Sequence, residues 1–285
     1  MTRLLRAGFR RMLRGKLLWL CMALLLATAL LDMCSDFLLL GMPFRQETIP
    51  LELQLFNGVM NVGLFLAIFT GRFLGEEQAE GGFRNKLVVG HTRGTLYLSN
   101  LILCLAAGAM LFAADFPVRL AVGLARGFTR ESEWSAILFR VSVALIALAA
   151  VTALLVLIGM LVRSRSVGVV CAIGLLLALT VSGASIHGAL AEPEYLAPTT
   201  IAYPDEIGAD GEPRVETILE KNPFYVTGAI REVFKTLDDI LPGDQLVRVE
   251  AGDLPSGATL PGYSAGIFLL ATASGAMAFR RRELK

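Results

Sequence analysis

The chain has 285 residues, 55% of them hydrophobic and only 18% charged, with a mean hydropathy of +0.63 and a net charge of +1. Soluble domains run near 45–50% apolar and about 25% charged, so an ordinary water-soluble fold is excluded, and the near-neutral balance gives no footing for nucleic acid or a polyanionic substrate. The apolar residues fall in long blocks. A helix crosses a hydrocarbon core of about 30 Å with about 20 such residues, and backbone polar groups in lipid must be satisfied internally. An all-α membrane protein with six transmembrane helices is therefore expected; barrel strands would be shorter and would alternate.

In chain order, residues 2–15 place Leu4, Leu5, Phe9, Met12 and Leu13 at helical spacing with Arg3, Arg6, Arg10, Arg11 and Arg14 between them. This predicts a basic amphipathic helix over 1–16, suited to an anionic membrane surface; a plain topogenic positive cluster is the alternative. Spans are predicted at about 17–40, 54–73, 95–115, 135–162, 166–189 and 262–279. The first is too long for the core of a cleaved leader and is read as a spanning helix. The fourth and fifth, separated only by Arg163-Ser164-Arg165-Ser166, predict an antiparallel hairpin. Cys21, Cys34, Cys104 and Cys171 all lie in apolar stretches at spacings of neither a disulfide framework nor a zinc motif, and are expected as small packed or lipid-facing residues.

Lys/Arg residues concentrate before the first span, in the 73–94 loop (Arg84, Lys86, Arg93), in the short turn (Arg163, Arg165) and after the last span (Arg280, Arg281, Arg282, Lys285). With six spans all four lie on one side, which the positive-inside rule makes cytoplasmic. The other side receives 41–53, 116–134 and 190–261, the last with fourteen acidic residues against five basic ones. That 190–261 loop is punctuated by prolines, with one helix predicted near 225–240 and ended by Leu241-Pro242-Gly243; it is expected to form a small extracytoplasmic cap on the membrane mouth. The expected organisation is thus helix 1–16, spans within 17–189 with a cytoplasmic loop at 74–94, the cap at 190–261, and the last span with its basic tail at 262–285.

The stretch Gly75–Asn100 carries the most information. Glu76, Glu77 and Glu80 follow the second span, Gly81-Gly82 breaks the helix, and Phe83–Val89 form a short segment closed by Gly90 and followed by Arg93. Physically this is a short amphipathic helix between glycine hinges, able to transmit force from a soluble partner to two spans; an ordinary solvated connector is the alternative. Glu77, Gly81, Arg84, Leu87, Gly90, Thr92, Arg93, Tyr97 and Ser99 resemble the cytoplasmic signature of ABC-2 type transporter permeases, with Asn100 where that family commonly has lysine. The basic N-terminal elbow helix, the six spans, the large outer loop, Asn222-Pro223 and Leu241-Pro242-Gly243-Asp244-Gln245 are similar to that family as well.

The resemblance implies a bacterial plasma-membrane permease subunit, multi-pass with both termini cytoplasmic. It implies a homodimer or a pair with a similar permease, bound to two copies of a separate ATPase that holds ATP and Mg, and export rather than import. The chain itself would be non-catalytic and carry no cofactor. On this reading Glu76, Glu77 and Glu80 face the ATPase, and Gly81, Arg84, Gly90 and Arg93 shape the coupling loop. Glu77→Arg would then uncouple transport without unfolding an exposed loop. The absence of a G-x-x-x-x-G-K-[ST] phosphate loop agrees with hydrolysis in another chain.

Among residues near the outer end of the spans, Asp32, Asp36, Asn57, Asn61 and Arg140 either snorkel to the interface or line an outer vestibule in which Asp32 pairs with Arg140. Gly262-Tyr263-Ser264-Ala265-Gly266 matches a nucleophile-elbow pattern, but opens a span, where small-residue packing accounts for it. Ser185 and His187 sit two apart on one helix and face different ways, and His91 has no companion at metal-ligand spacing. A sensory or accessory membrane protein with a ligand-binding outer loop, or an intramembrane enzyme, are the alternatives to a permease.

Overall fold

The structure is a computed structural model describing residues 1–40, 50–162, 164–196, 199–207, 213–254 and 259–281, with the side chains of 35–40 and 199–218 left aside. Arg163, Arg282, Lys285 and the Asp36 side chain thus lie outside what is described. The order is α1 (Thr2–Arg14), α2 (Lys16–Leu40), α3 (Leu51–Phe56), α4 (Val59–Ala79), α5 (Gly82–Val88), α6 (Arg93–Ala125), α7 (Trp134–Leu161), α8 (Arg165–Ala191), β1 (Thr199–Ile207), β2 (Pro213–Ile218), α9 (Gly228–Ile240), α10 (Pro242–Ala251) and α11 (Thr259–Arg281). Six segments are long and apolar enough to cross a membrane: Lys16–Cys34, Leu51–Ala79, Arg93–Ala125, Trp134–Leu161, Arg165–Ala191 and Thr259–Arg281. The spanning segments are helical, as expected, the second being interrupted by a turn at Asn57-Gly58 between α3 and α4. The 190–261 segment adds an antiparallel pair of β1 and β2, from Thr199 opposite Ile218 to Ile207 opposite Pro213, which the sequence reading does not foresee.

α4 and α7 are the most enclosed spans; α2, α8 and α11 leave most of their surface outward. Trp19, Leu20, Leu24, Leu30 and Leu31 of α2, Val170 and Leu177 of α8, and Leu269 and Leu270 of α11 are exposed, as lipid-facing positions require. α4 packs against α8, α7, α6 and α2, and α11 against α7 and α6. The α4–α8 crossing is made by glycine. A Cβ on Gly71 would come within 2.9 Å of the Gly168 carbonyl oxygen, and one on Gly75 within 2.9 Å of the Arg165 Cα. Lipid is as apolar as leucine, so close approach through small residues is what holds such helices together.

The α6 span and the α9–α10 segment differ from what the sequence predicts. α6 runs past Asp115 to Ala125 and carries Pro117 inside it. Asp115 and Arg119 are one helical turn apart and bond each other, Nε to Oδ2 at 2.9 Å, so the charges that suggest an end cancel within the helix. Leu241-Pro242-Gly243 does end α9, but Pro242 also opens α10, since proline suits a first helical turn. α10 wedges against α7, α8 and α4, and its Gly243 lies so near α8 that a Cβ would meet the Leu179 carbonyl oxygen at 2.2 Å. The 190–261 segment therefore inserts a helix into one end of the bundle. All four cysteines are free, Cys21 and Cys104 buried and Cys34 and Cys171 half-buried.

Candidate functional site

One end of the bundle gathers α1, the α4–α5 turn, the start of α8 and the end of α11. The centre is Glu77, 1% exposed, whose Oε2 accepts from Arg11 of α1 at 2.5 Å and whose Oε1 accepts from Lys86 of α5. Arg11 also lies over the Phe73 ring, 4.2 Å from its centroid. Gly81 has φ +69, a left-handed turn that glycine adopts without strain, and Gly90 has φ +97. Gly82 comes so near α4 that a Cβ would stand 2.9 Å from Glu77 Cγ. The two expected hinges are thus real turns, and the glycine pair lets α5 fold back onto the glutamate.

α5 is pinned from its other side by Phe83, buried edge-on against Phe279 of α11 with ring centroids 5.8 Å apart. Arg93 Nη1 donates to the Arg280 carbonyl at 3.1 Å, and Thr92 caps α6 by accepting from the Thr95 amide at 3.2 Å. Glu76 pairs with Arg72 at 2.9 Å, and Glu80 with Arg165 of α8 at 3.5 Å. What remains free is the tip: Arg84 and Asn85 are exposed, and Val88 and Val89 are 80% and 78% exposed. Val88 closes the seven-residue helix and Val89 is its C-cap, so both stand at its exposed end.

The expectation that Glu77 faces a partner is corrected. It is sealed beneath α5 and engaged by two cations, so it positions the loop instead of contacting anything outside, and reversing it would not leave the fold untouched. Glu76 and Glu80 remain at the surface. Asn100, at the position where lysine is common in the resembled family, is buried, with Nδ2 3.8 Å from Met160 Sδ. Tyr97 is buried against α11, where Gly275 leaves room for its ring.

The opposite end holds a second polar cluster. Arg119, with no exposed surface, donates through Nη2 to Asp32 of α2 at 3.2 Å and through Nε to Asp115. Asn61 of α4 reaches Asp32 at 3.4 Å. Gly58 provides the space, because a Cβ there would lie 2.3 Å from Arg119 Nε. The alternative in which Asp32 pairs with Arg140 is therefore replaced by an Asp32–Arg119 pair. Arg140 instead donates to the Val249 and Glu250 carbonyls at 2.7 and 3.2 Å, capping the C-terminus of α10, and stacks 4.4 Å above the Phe56 ring. A cation at a helix C-terminus meets the negative end of its dipole. Asn57 is exposed at the end of α3. Sequence reading overlooks Arg119 by placing it in a loop, although the Asp115–Arg119 spacing is itself the signal of an intrahelical pair.

The docking of α10 is also polar. Gln245 donates to the Asp239 and Leu260 carbonyls and accepts from Ser264 Oγ at 2.7 Å, which places Ser264 in a helix-packing role. Arg248 bonds Asp238 and Asp239, both at 2.9 Å, and His187 Nδ1 of α8 lies 3.5 Å from Asp238. Ser185 bonds back to the Val181 carbonyl. Asp244 is wholly buried against Gly183, and neither of its carboxylate oxygens has a hydrogen-bond partner. Burial, with the Asp238 charge adding to it, pushes its carboxyl up to about 7.

A raised carboxyl pKa means that the folded form holds a proton the unfolded form releases. Stability from this group is thus full below the ordinary value of 3.8 and declines as pH rises toward about 7. Protease resistance of α10 is expected to be lower at pH 8 than at pH 5; because burial also pushes the Glu250 carboxyl of the same helix up to about 7, Asp244→Asn should remove only part of that difference. An unchanged pH profile in the variant would assign the effect to other groups.

Six apolar spans, a basic end knotted around Glu77 and the inserted α10 define a multi-pass α-helical membrane protein. No protein-family model matches the chain, and no curated protein matches it either.

Proposed function

We propose that this chain is the permease subunit of an ATP-driven ABC-2 type transporter, working as an exporter in the plasma membrane with both termini cytoplasmic. It would act as a dimer with a like or similar permease, and two copies of a separate ATPase would bind ATP and Mg. The observation that carries the reading is α5: a short helix held rigidly at one end of the bundle, yet presenting Arg84, Asn85, Val88 and Val89 outward. An ATPase seated on that tip would move it. Lys86–Glu77–Arg11 passes the displacement to α4 and α1, and Phe83–Phe279 passes it to α11. The partner would meet an apolar spot rimmed by charge, in which the rim sets register and the valines supply affinity.

Val88→Asp with Val89→Asp is expected to change stability by no more than about 0.5 kcal/mol, as for exposed positions generally, while abolishing ATPase association and transport. A photo-crosslinker at Val88 should capture a chain bearing a phosphate loop, and one at Phe224 should not. In a cysteine-free background, a cysteine at Phe224 should react with an impermeant maleimide in intact cells and one at Val88 only after lysis. Reversed labelling, or no nucleotide-hydrolysing chain at Val88, would overturn the proposal.

A further inference from the structure

α1 divides its residues between three tasks. Leu4, Gly8 and Met12 are buried toward α6, where a Cβ on Gly8 would strike the Leu103 side chain at 2.3 Å. Arg11 is committed to Glu77. Arg3, Arg6, Arg10 and Arg14 are all exposed, and none has an acidic or aromatic partner among the described residues. At 100° per residue these four fall within an arc of about 80° and span about 16 Å of helix. Together with Ala7 and Arg11 they line an open groove of about 530 Å³. α1 contains no acidic residue to neutralise them.

We propose that this groove is a binding site for the phosphate-bearing headgroups of anionic phospholipids. Its level in the protein selects lipid over a soluble anion. One residue past Gly15 the chain enters the first span, and Trp19, exposed, donates from Nε1 to the Leu13 carbonyl at 2.8 Å, tying the corner between α1 and α2. Tryptophan with one wet edge marks the headgroup layer, and Leu20 and Leu24 continue outward into the acyl region. The arginines therefore stand where lipid phosphates lie. Their guanidinium forks suit two oxygens of one phosphate, and each cation near an anionic surface adds affinity. The site stands independently of the transport reading. Because Arg11 on the same helix holds the glutamate that also grips Lys86, a bound headgroup would fix the base on which α5 rests.

The test is native mass spectrometry of the full chain in mild detergent, titrated with phosphatidylglycerol or with phosphatidylcholine of identical acyl chains. The anionic lipid is expected to bind at least about tenfold more tightly, and inorganic phosphate at millimolar concentration should not displace it. Arg3→Gln with Arg6→Gln, Arg10→Gln and Arg14→Gln should abolish the preference. The corresponding four-lysine variant, which keeps the charge that orients the chain, should retain a reduced one. Equal binding of the two lipids by the unaltered protein, displacement by free phosphate, or an undiminished preference in the glutamine variant would overturn the assignment.

Discussion

Arg119→Ala is expected to cost about 3–5 kcal/mol of stability, the penalty for breaking a buried ion pair from one side. Arg119 is fully enclosed and Asp115 is 3% exposed, so no water reaches in to replace the lost cation. Asp32, at the rim, would lose its partner across helices as well. Unfolding of the detergent-solubilised protein by denaturant or heat measures the loss. Removing both charges should behave differently. Asp115→Asn with Arg119→Leu takes away the isolated charge as well as its partner, and buried pairs replaced by apolar groups are often neutral in stability. The double variant should therefore be more stable than Arg119→Ala alone, a non-additivity typical of groups in contact. A double variant at least as unstable as the single one would show that the cluster does more than balance charge, for example by holding α2 in register through Asp32.

Glu77→Gln is expected to lower stability by about 1–3 kcal/mol, as when charge-assisted bonds to a buried group are lost. The range is below that for Arg119 because Arg11 and Lys86 keep 40% and 26% of their side-chain surface and can turn to water. The more telling effect is local. Without the carboxylate, α1 and α5 lose their common anchor on α4, so trypsin should cut at Arg84 and Lys86 several-fold faster while the spans stay protected. Glu77→Arg should be worse than Glu77→Gln, because it places a third cation among two others in a dry site. Cleavage rates unchanged in both variants would mean that Phe83 against Phe279 alone holds α5 down.

Much of this architecture is legible one segment at a time. Every span is recognisable from its apolar run, the amphipathic α1 from its spacing, and α9 from the helix expected near 225–240 and its stop at Leu241-Pro242-Gly243. The hinges at Gly81 and Gly90 also follow from local chemistry, since glycine tolerates positive φ. The candidate site is legible only in part. The segment 76–93 stands out by its residues, but the burial of Glu77 depends on α1 returning to meet it across 66 positions. Arg119 hides because a charged residue beyond an apolar run reads as loop. α10 hides because a proline that stops one helix looks the same when it begins the next.

By itself the sequence determined that this chain carries six segments long and apolar enough to cross a bilayer, and where along the chain they fall. Those properties follow from transfer of apolar and charged groups between water and lipid, which acts on each segment independently of the others. Only the tertiary structure decided which charges meet: Asp32 with Arg119 and not Arg140, Glu77 with Arg11 and Lys86, and Arg140 with the end of α10. Pairing depends on the rotation and order of helices in the bundle, and these are set by close contacts such as Gly71 and Gly75 on α8 and Gly243 on Leu179, which involve partners far apart in the chain.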